Sequence, residues 1–401
     1  MTIIAKYNWP DWVCENFIFT IDGTDYKADE ISYLTAQILD NEQGLANKII
    51  NIDGNDIPLV VASILCLEKL NMHLCLNRDT KAKANIIRKN NTLTFSHTTA
   101  SGASQVSLFT SGTTGKAKQI HHTINSLLGG IKQTTTIKNL AKEQCWLLSY
   151  SPSSYAGLQM VLNTLSTGAH LTNTPSNAIT HLSTTPSAWR VLMLKKEFPL
   201  LKSLTFGGEA VDQALLDRSK KLYPNAKIQH IFAASEVGVL FSVKDGYAGF
   251  PSVWLDKEIN GITIKLSDNN TLAVKSNRAM IDAPKWFITN DILEIKGERT
   301  YIVGRKDSII NVGGFNVNPE KIELYFLELN GVHEVYAYPK KNPITGNIIA
   351  IDVIANSLSE RKQLLSQINT HAAKLEAAER PRIINFVEKI EMNNSSKKAR
   401  S

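Results

Sequence analysis

Residues 108–118 read Leu108-Phe109-Thr110-Ser111-Gly112-Thr113-Thr114-Gly115-Lys116-Ala117-Lys118. An apolar run, Gln105–Phe109, leads into a dense cluster of hydroxyls and glycines that closes on two lysines. Gly112 and Gly115 let backbone N–H groups approach a ligand closely. Ser111, Thr113 and Thr114 add side-chain donors, and Lys116 and Lys118 add positive charge. Such a loop suits a polyphosphate. It is not a Walker A loop, which needs four residues between its glycines and then Gly-Lys-Ser/Thr. The competing reading of the string alone is a polar hairpin turn, since Gly, Ser and Thr also make ordinary turns.

Outward from this loop, 401 residues suit two or three domains. With 43% hydrophobic and 20% charged residues, the composition is that of a soluble globular protein. The net charge of +7 is compatible with nucleic acid, ATP or CoA. The lysines are scattered apart from the Ser395–Ser401 tail, so no basic stripe argues for nucleic acid. Cys14, Cys66, Cys75 and Cys145 show no metal-ligand spacing and no disulfide framework, which points to a reducing cytoplasm. The N-terminus lacks the continuous apolar stretch of a signal peptide. The longest apolar segment, Ile57–Leu67, is too short to cross a bilayer.

The pattern along the chain predicts alternating strands and helices. A hairpin is expected over Phe17–Tyr26 with its turn at Asp22-Gly23. A helix follows over Ala28–Leu39, with Ile31, Leu34 and Ile38 on one face. A further helix starts at Asn55–Pro58. A strand covers His73–Leu76, and Asp79–Asn91 is a polar connection. After the loop, a helix is expected over Thr123–Lys138, a buried strand over Cys145–Tyr150 and a helix over Gly157–Leu165. This alternation argues for α/β layers with mostly parallel strands. From about Gly249 short strands take over: Ile262–Leu266, Thr271–Val274, Ile292–Ile295 and Tyr301–Val303. From Pro319 a small α+β pattern appears, with helices at Glu320–Leu329 and Glu360–Ala377, a strand pair around Asn342–Asn347, and a strand at Ile383–Val387.

Thr-Ser-Gly-Thr-Thr-Gly followed three residues later by lysine resembles the phosphate loop of the adenylate-forming superfamily: acyl- and aryl-CoA ligases, peptide-synthetase adenylation domains and luciferases. Four further strings resemble the same family in its order: Leu204–Ala210 (LTFGGEA), His230–Glu236 (HIFAASE), Trp286–Asp291 (WFITND) and Gly304–Glu320 (GRKDSIINVGGFNVNPE). A fifth, Asn393–Arg400, sits where the family has Thr-x-x-Gly-Lys-x-x-Arg. The resemblance implies a large multi-layer α/β N-terminal domain with a short β-rich section, residues 1–304. It also implies a small mobile α+β C-terminal domain, residues 305–401, with a hinge near Asp307.

By this resemblance, Thr110, Ser111, Gly112, Thr113, Thr114, Gly115 and Lys118 would hold the ATP phosphates. Gly208, Glu209 and Ala210 would flank adenine, and Phe232 would stack on it. Ser235 keeps the family's hydroxyl, and Glu236 would hold Mg2+, for which hard oxygens beside phosphates are suited. Asp291 would accept hydrogen bonds from the ribose hydroxyls. Asn290, where the family has Gly, is expected to keep a positive-φ turn, which Asn tolerates. Arg305 would contact ribose or phosphate. Gly313 and Gly314 would approach an incoming thiol arm after the C-terminal domain rotates about Asp307. Lys397 would be the adenylation lysine, and an alternative register makes it Lys398.

The chemistry implied is attack of a carboxylate on the α-phosphorus of ATP, giving an acyl-adenylate and pyrophosphate, then transfer to a thiol. From Gln144 to Lys196 there is no Asp or Glu. In the family this region lines the acyl pocket, and enzymes for α-amino acids usually place an Asp there to hold the ammonium. A buried ammonium without a carboxylate is costly, so the small substrate is expected to be a non-amino carboxylic acid, aromatic or short-to-medium aliphatic. Tyr155 and Trp189 are candidate pocket walls, with Gly207 beside them. The leading expectation is an acyl- or aryl-CoA ligase. The rivals are a stand-alone adenylating enzyme that loads the phosphopantetheine of an acyl carrier protein, and a catalytically degenerate relative.

Overall fold

Asp22 and Gly23 both take positive φ, and Ile21 pairs with Thr24 across them. This is the two-residue turn that matches the twist of a hairpin, and it joins strands Ile18–Ile21 and Thr24–Tyr26. The next helix, Ala28–Asp40, buries Ile31, Leu34 and Ile38 on one stripe. The helix Ile57–Cys66 begins with Pro58 in its first turn and the Asp56 carboxylate accepting from the Leu59 N–H at 3.2 Å. These satisfy helix-end donors without competing for interior bonds. The computed structural model describes residues 8–78, 84–96, 98–100, 103–110, 118–131, 141–355, 361–391 and Lys398.

Among the described residues the largest sheet has eight strands, in the order 238–243, 227–234, 203–206, 181–184, 145–147, 170–172, 18–21 and 24–26. Its interior pairs are parallel and its two outermost pairs antiparallel. Parallel strands need crossovers, and helices Tyr155–Thr167, Pro186–Lys195 and Gln213–Leu222 supply them. A five-stranded sheet runs 99–100, 48–53, 73–77, 105–110 and 118–122. The six-stranded antiparallel sheet is built from 250–251 and the strands between 258 and 305. A separate core contains Ile310, Val335, Ile351, Phe326 and Ile368, and every member lies beyond residue 309. This is the mixed α/β architecture expected from the sequence, with β-rich and small α+β portions following the α/β layers.

Some local expectations change. The helix expected over Thr123–Lys138 is formed over Ile124–Leu128 and stops at Gly129-Gly130, where backbone freedom disfavours continuation; residues 132–140 lie outside the described residues. The polar connection Asp79–Asn91 contains strand Ile86–Lys89, which pairs with Thr92–Phe95. The last long helix spans Arg361–Ala372, and Glu360 lies outside the described residues.

Burial lowers the pKa of His73, His122, His170, His230 and His333, and takes His181 down to about 4. A folded-state value below the ordinary 6.5 means that the unfolded chain takes up the proton first. The associated stability is therefore fully present above pH 6.5 and is lost as pH falls from there toward the folded values. Asp56, raised by burial, opposes this as a single group. The melting temperature is expected to fall between pH 7.5 and pH 5, and a flat or rising melting temperature would contradict this reading.

Candidate active site

Strands Gln105–Thr110 and Lys118–His122 form an antiparallel hairpin in which Thr110 pairs with Lys118. The Thr110 hydroxyl donates to the Lys118 carbonyl at 3.3 Å, and the Lys118 side chain is exposed. Ser111, Gly112, Thr113, Thr114 and Gly115 lie outside the described residues. The base of the hairpin is tied to two other segments of interest. The Ile281 N–H donates to the His121 carbonyl at 2.8 Å. His122 Nε2 lies 2.8 Å from the Ser235 carbonyl. Burial keeps the His122 imidazole below its ordinary pKa, so the neutral ring donates through Nε2 to that acceptor. The Ser235 carbonyl, and with it the neighbouring Glu236, is thereby tied to the open end of this hairpin, away from the Thr110–Lys118 pair.

Asp291, Arg305 and Asp307 meet at one place, and Glu236 acts on Arg305 electrostatically. Asp291 sits opposite Arg305 in the ladder between strands Phe287–Lys296 and Arg299–Arg305. The Arg305 guanidinium donates from Nη1 to Asp291 at 3.1 Å, and from Nε and Nη2 to Asp307 at 3.0 and 2.9 Å. Burial works against the Arg305 charge, but Asp307, Asp291 and Glu236 together raise its pKa. Burial also pushes the Asp307 carboxyl up, and the Arg305 bonds outweigh it and hold Asp307 below its usual value. Asn290 lies in the extended strand and is not among the positive-φ residues, so the expected turn is corrected. Its amide donates to Asp307 at 3.1 Å, a bond that glycine cannot make. Two carboxylates paired with one guanidinium, and a third within electrostatic reach, leave a net negative site. Among the described residues no group of three or more His, Cys, Asp or Glu could hold a metal alone. A single carboxylate fits magnesium only as an ion that keeps its waters and phosphate oxygens.

The strand Ser203–Phe206 runs into Gly207, whose N–H donates to the Thr184 carbonyl at 3.0 Å. Gly208 and Ala210 are exposed, and Gly208 has φ +82. Glu209 accepts from the Ser187 N–H at 3.0 Å and from the Lys398 N–H at 3.3 Å. Its carboxylate therefore clasps a helix start to the chain terminus.

Lys398 is buried. Its Nζ lies 3.0 Å from Glu323 and 2.8 Å from Glu334, and donates to the Val335 carbonyl at 2.6 Å. Burial opposes its charge, but Glu323 and Glu334 raise its pKa. Glu334 is held well below the usual carboxylate range: burial pushes it up, and Lys398 and Arg190 outweigh that. Arg190 also pairs with Asp212, and its carbonyl faces His333 Nε2 at 2.6 Å. This buried charge cluster joins residues 190–212 to residues 323–398. No motif announced it, because its members are scattered singly through the sequence. In this arrangement the Lys398 amine is enclosed by two acids. Lys397 lies outside the described residues.

One expected role is corrected, that of Trp189. Trp189 is 0% exposed, stacks near Phe198 and donates from Nε1 to the Ser219 hydroxyl at 2.9 Å, so it is core rather than pocket wall. Phe232 stacks on Phe241 with centroids 4.7 Å apart and meets Phe250 edge-on at 5.2 Å. One ring face is therefore already taken, and the strand position exposed beside it is Ala233.

Tyr155 begins helix Tyr155–Thr167, capped by the Ser154 hydroxyl, which accepts from the Gly157 N–H at 3.1 Å. Gly157 is required, because a Cβ there would lie 2.1 Å from the Ser151 carbonyl. Burial pushes the Tyr155 phenol up to about 12, so it stays protonated. Its ring lies 5.5 Å from that of His122, which brings it to the Ser235 segment. Gly207 lies close to Ile231 and Tyr150. Gly313 and Gly314 form the exposed two-residue tip between strands Ile310–Val312 and Phe315–Val317, both at positive φ.

A family model described as AMP-binding enzyme matches residues 80–278. The mitochondrial acyl-coenzyme A synthetase ACSM3 of Rattus norvegicus is 23% identical, over 100% of this chain and 78% of that protein. A 2-succinylbenzoate–CoA ligase of Staphylococcus epidermidis is 25% identical, over 67% of this chain and 63% of its own length. Among solved structures, the anthranilate CoA ligase AuaEII in complex with anthranoyl-AMP superposes with a TM-score of 0.73 at 14% identity, covering 97% of this chain and 93% of that one. The o-succinylbenzoate CoA synthetase from Bacillus subtilis gives 0.66 at 14% identity, covering 96% and 94%. At these identities the structures speak for the fold alone. Among the described residues no helix is long and apolar enough to cross a membrane.

Proposed function

The chain belongs to the adenylate-forming superfamily of AMP-binding enzymes, and on that premise we propose that it activates a non-amino carboxylic acid with ATP and passes the acyl group to the thiol of CoA. The observation that carries this reading is the meeting of Asp291, Arg305 and Asp307, with Glu236 acting on Arg305 electrostatically and the neighbouring Ser235 carbonyl facing His122 of the 105–122 hairpin. A carboxylate is a poor electrophile because its leaving group would be oxide. Attack of its oxygen on the α-phosphorus displaces pyrophosphate and leaves AMP as a good leaving group. The protein need only align the reactants and offset charge that spreads over the phosphates.

In this assignment Lys118 and the 111–117 loop take the outer phosphates, and Asp291 accepts from the ribose hydroxyls. Gly208 and Ala210 present bare backbone to the base. Glu236 would hold magnesium, which when bound offsets phosphate charge. Lys397 would bridge the carboxylate and the α-phosphate. Asp307 serves as the hinge between residues 1–304 and 305–401, and Gly313-Gly314 admits the thiol arm. The acid-free stretch 144–196 speaks against an ammonium-bearing substrate. The four cysteines are free, which suits a reducing compartment such as the cytoplasm.

ATP–pyrophosphate exchange across a panel of carboxylic acids tests the reading, with CoA then added to the active combinations. Acid-dependent exchange followed by CoA thioester formation is expected. Exchange without a CoA product, rescued by a carrier protein bearing phosphopantetheine, would move the acceptor to the carrier. Absence of exchange with every acid would contradict the proposal.

A further inference from the structure

Arg278 is 6% exposed, and no carboxylate among the described residues pairs with it. The segment that carries it is held firmly. The Arg278 N–H donates to the Ser276 hydroxyl at 3.1 Å, and that hydroxyl donates to the Val237 carbonyl at 2.8 Å. Its guanidinium makes one described bond, from Nη1 to the Val239 carbonyl at 2.7 Å. Guanidinium has five donors in a fork that matches a carboxylate. With one neutral acceptor, the fork keeps donors to spare for a counter-charge.

Its position says where that charge would come from. Val239 lies three residues after Glu236, at most about 10 Å along the chain. Tyr155 acts on the same guanidinium electrostatically and faces the same Val239 backbone. Glycines keep the surroundings bare. A Cβ on Gly238 would fall 2.9 Å from the Arg278 Cβ and 3.1 Å from the Tyr155 hydroxyl, and Gly130 has only Arg278 Nη1 near it, at 3.8 Å. The plain alternative is that Arg278 answers the carbonyl end of the short helix Ile124–Leu128, beside which its Cγ packs. No described bond joins it to those carbonyls.

We propose that Arg278 receives a second carboxylate on the acid, so that the substrate class is a dicarboxylic acid; this rests on the adenylation reading given above. One carboxylate attacks ATP on the Glu236 side, and the other seats on the Arg278 fork beside Tyr155. The charge then exists in the pocket only when the right acid is bound.

The test is ATP–pyrophosphate exchange by the full chain with succinate, glutarate and adipate, each against butyrate, valerate and hexanoate, and with terephthalate against benzoate. The wild type should favour at least one dicarboxylate over its matched monocarboxylate by tenfold or more in kcat/KM, on the order of one good charged contact. R278M should lower that ratio by about 100-fold, and R278K, which keeps the charge and loses the fork, should fall between. Melting temperatures of both variants separate this from a structural role, under which all acids lose activity together as stability drops. A wild type that favours monocarboxylates, or a ratio unchanged in R278M and R278K, would overturn the proposal while leaving adenylation intact. Exchange with no acid of either series would overturn the adenylation reading itself.

Discussion

Lys397→Ala is expected to lower acid-dependent pyrophosphate exchange by about 10²–10³-fold, the range seen when one donor to a developing charge is removed. The C-terminal tail offers two adjacent lysines for one role. Lys398 is committed elsewhere, with its amine between Glu323 and Glu334 and on the Val335 carbonyl. On the proposed function, Lys397 is the lysine that would bridge the carboxylate and the α-phosphate, where negative charge from both reactants converges. The variant should keep its melting temperature, and it should still form thioester from a supplied acyl-adenylate, because only the first half-reaction asks for that cation. Loss of both half-reactions to the same extent would contradict a division of labour between the two steps.

Lys398→Met should behave in the opposite way. Methionine fills similar space without charge, leaving Glu334 (0% exposed side chain) and Glu323 facing one another with Arg190 as the remaining nearby cation. Breaking a buried pair from one side costs about 3–5 kcal/mol. The expected readout is a fall in melting temperature of at least about 5 °C. A double variant, Lys398→Met with Glu334→Gln, should recover part of that loss, since the stranded charge is then removed as well. If Lys398→Met left stability untouched and abolished exchange, the two lysines would have to trade roles.

The parts of this molecule that were readable in sequence are those where a local pattern carries its own physical reason. Asp22-Gly23 announces a two-residue turn, Asp56 with Pro58 announces a helix start, and Ile31, Leu34 and Ile38 announce a buried stripe. The site strings stood out because they resemble one family's motifs in that family's order. What stayed hidden depends on where distant segments are brought together. Arg190, Glu334 and Lys398 are ordinary surface residue types until the fold encloses them. Trp189 follows Ser187 and Ala188 in an acid-free stretch and reads as a pocket wall, yet its helix turns it toward Phe198 and Ser219. Asn290 looked like a glycine substitute in a turn, and instead reaches across to Asp307 from an extended strand. Arg278 carried no signal at all, because an unpaired cation is recognisable only once its burial is known.

On the proposed function, segments around residues 110, 208, 236, 291 and 305 serve one bound ATP whose α-phosphorus is handed to an organic acid. Oxygen tracing tests this most directly. An acid labelled with ¹⁸O in its carboxylate is turned over with ATP and thiol, and the products are weighed by mass spectrometry. One ¹⁸O is expected in AMP and none in pyrophosphate. Label in inorganic phosphate, with ADP as the nucleotide product, would contradict it.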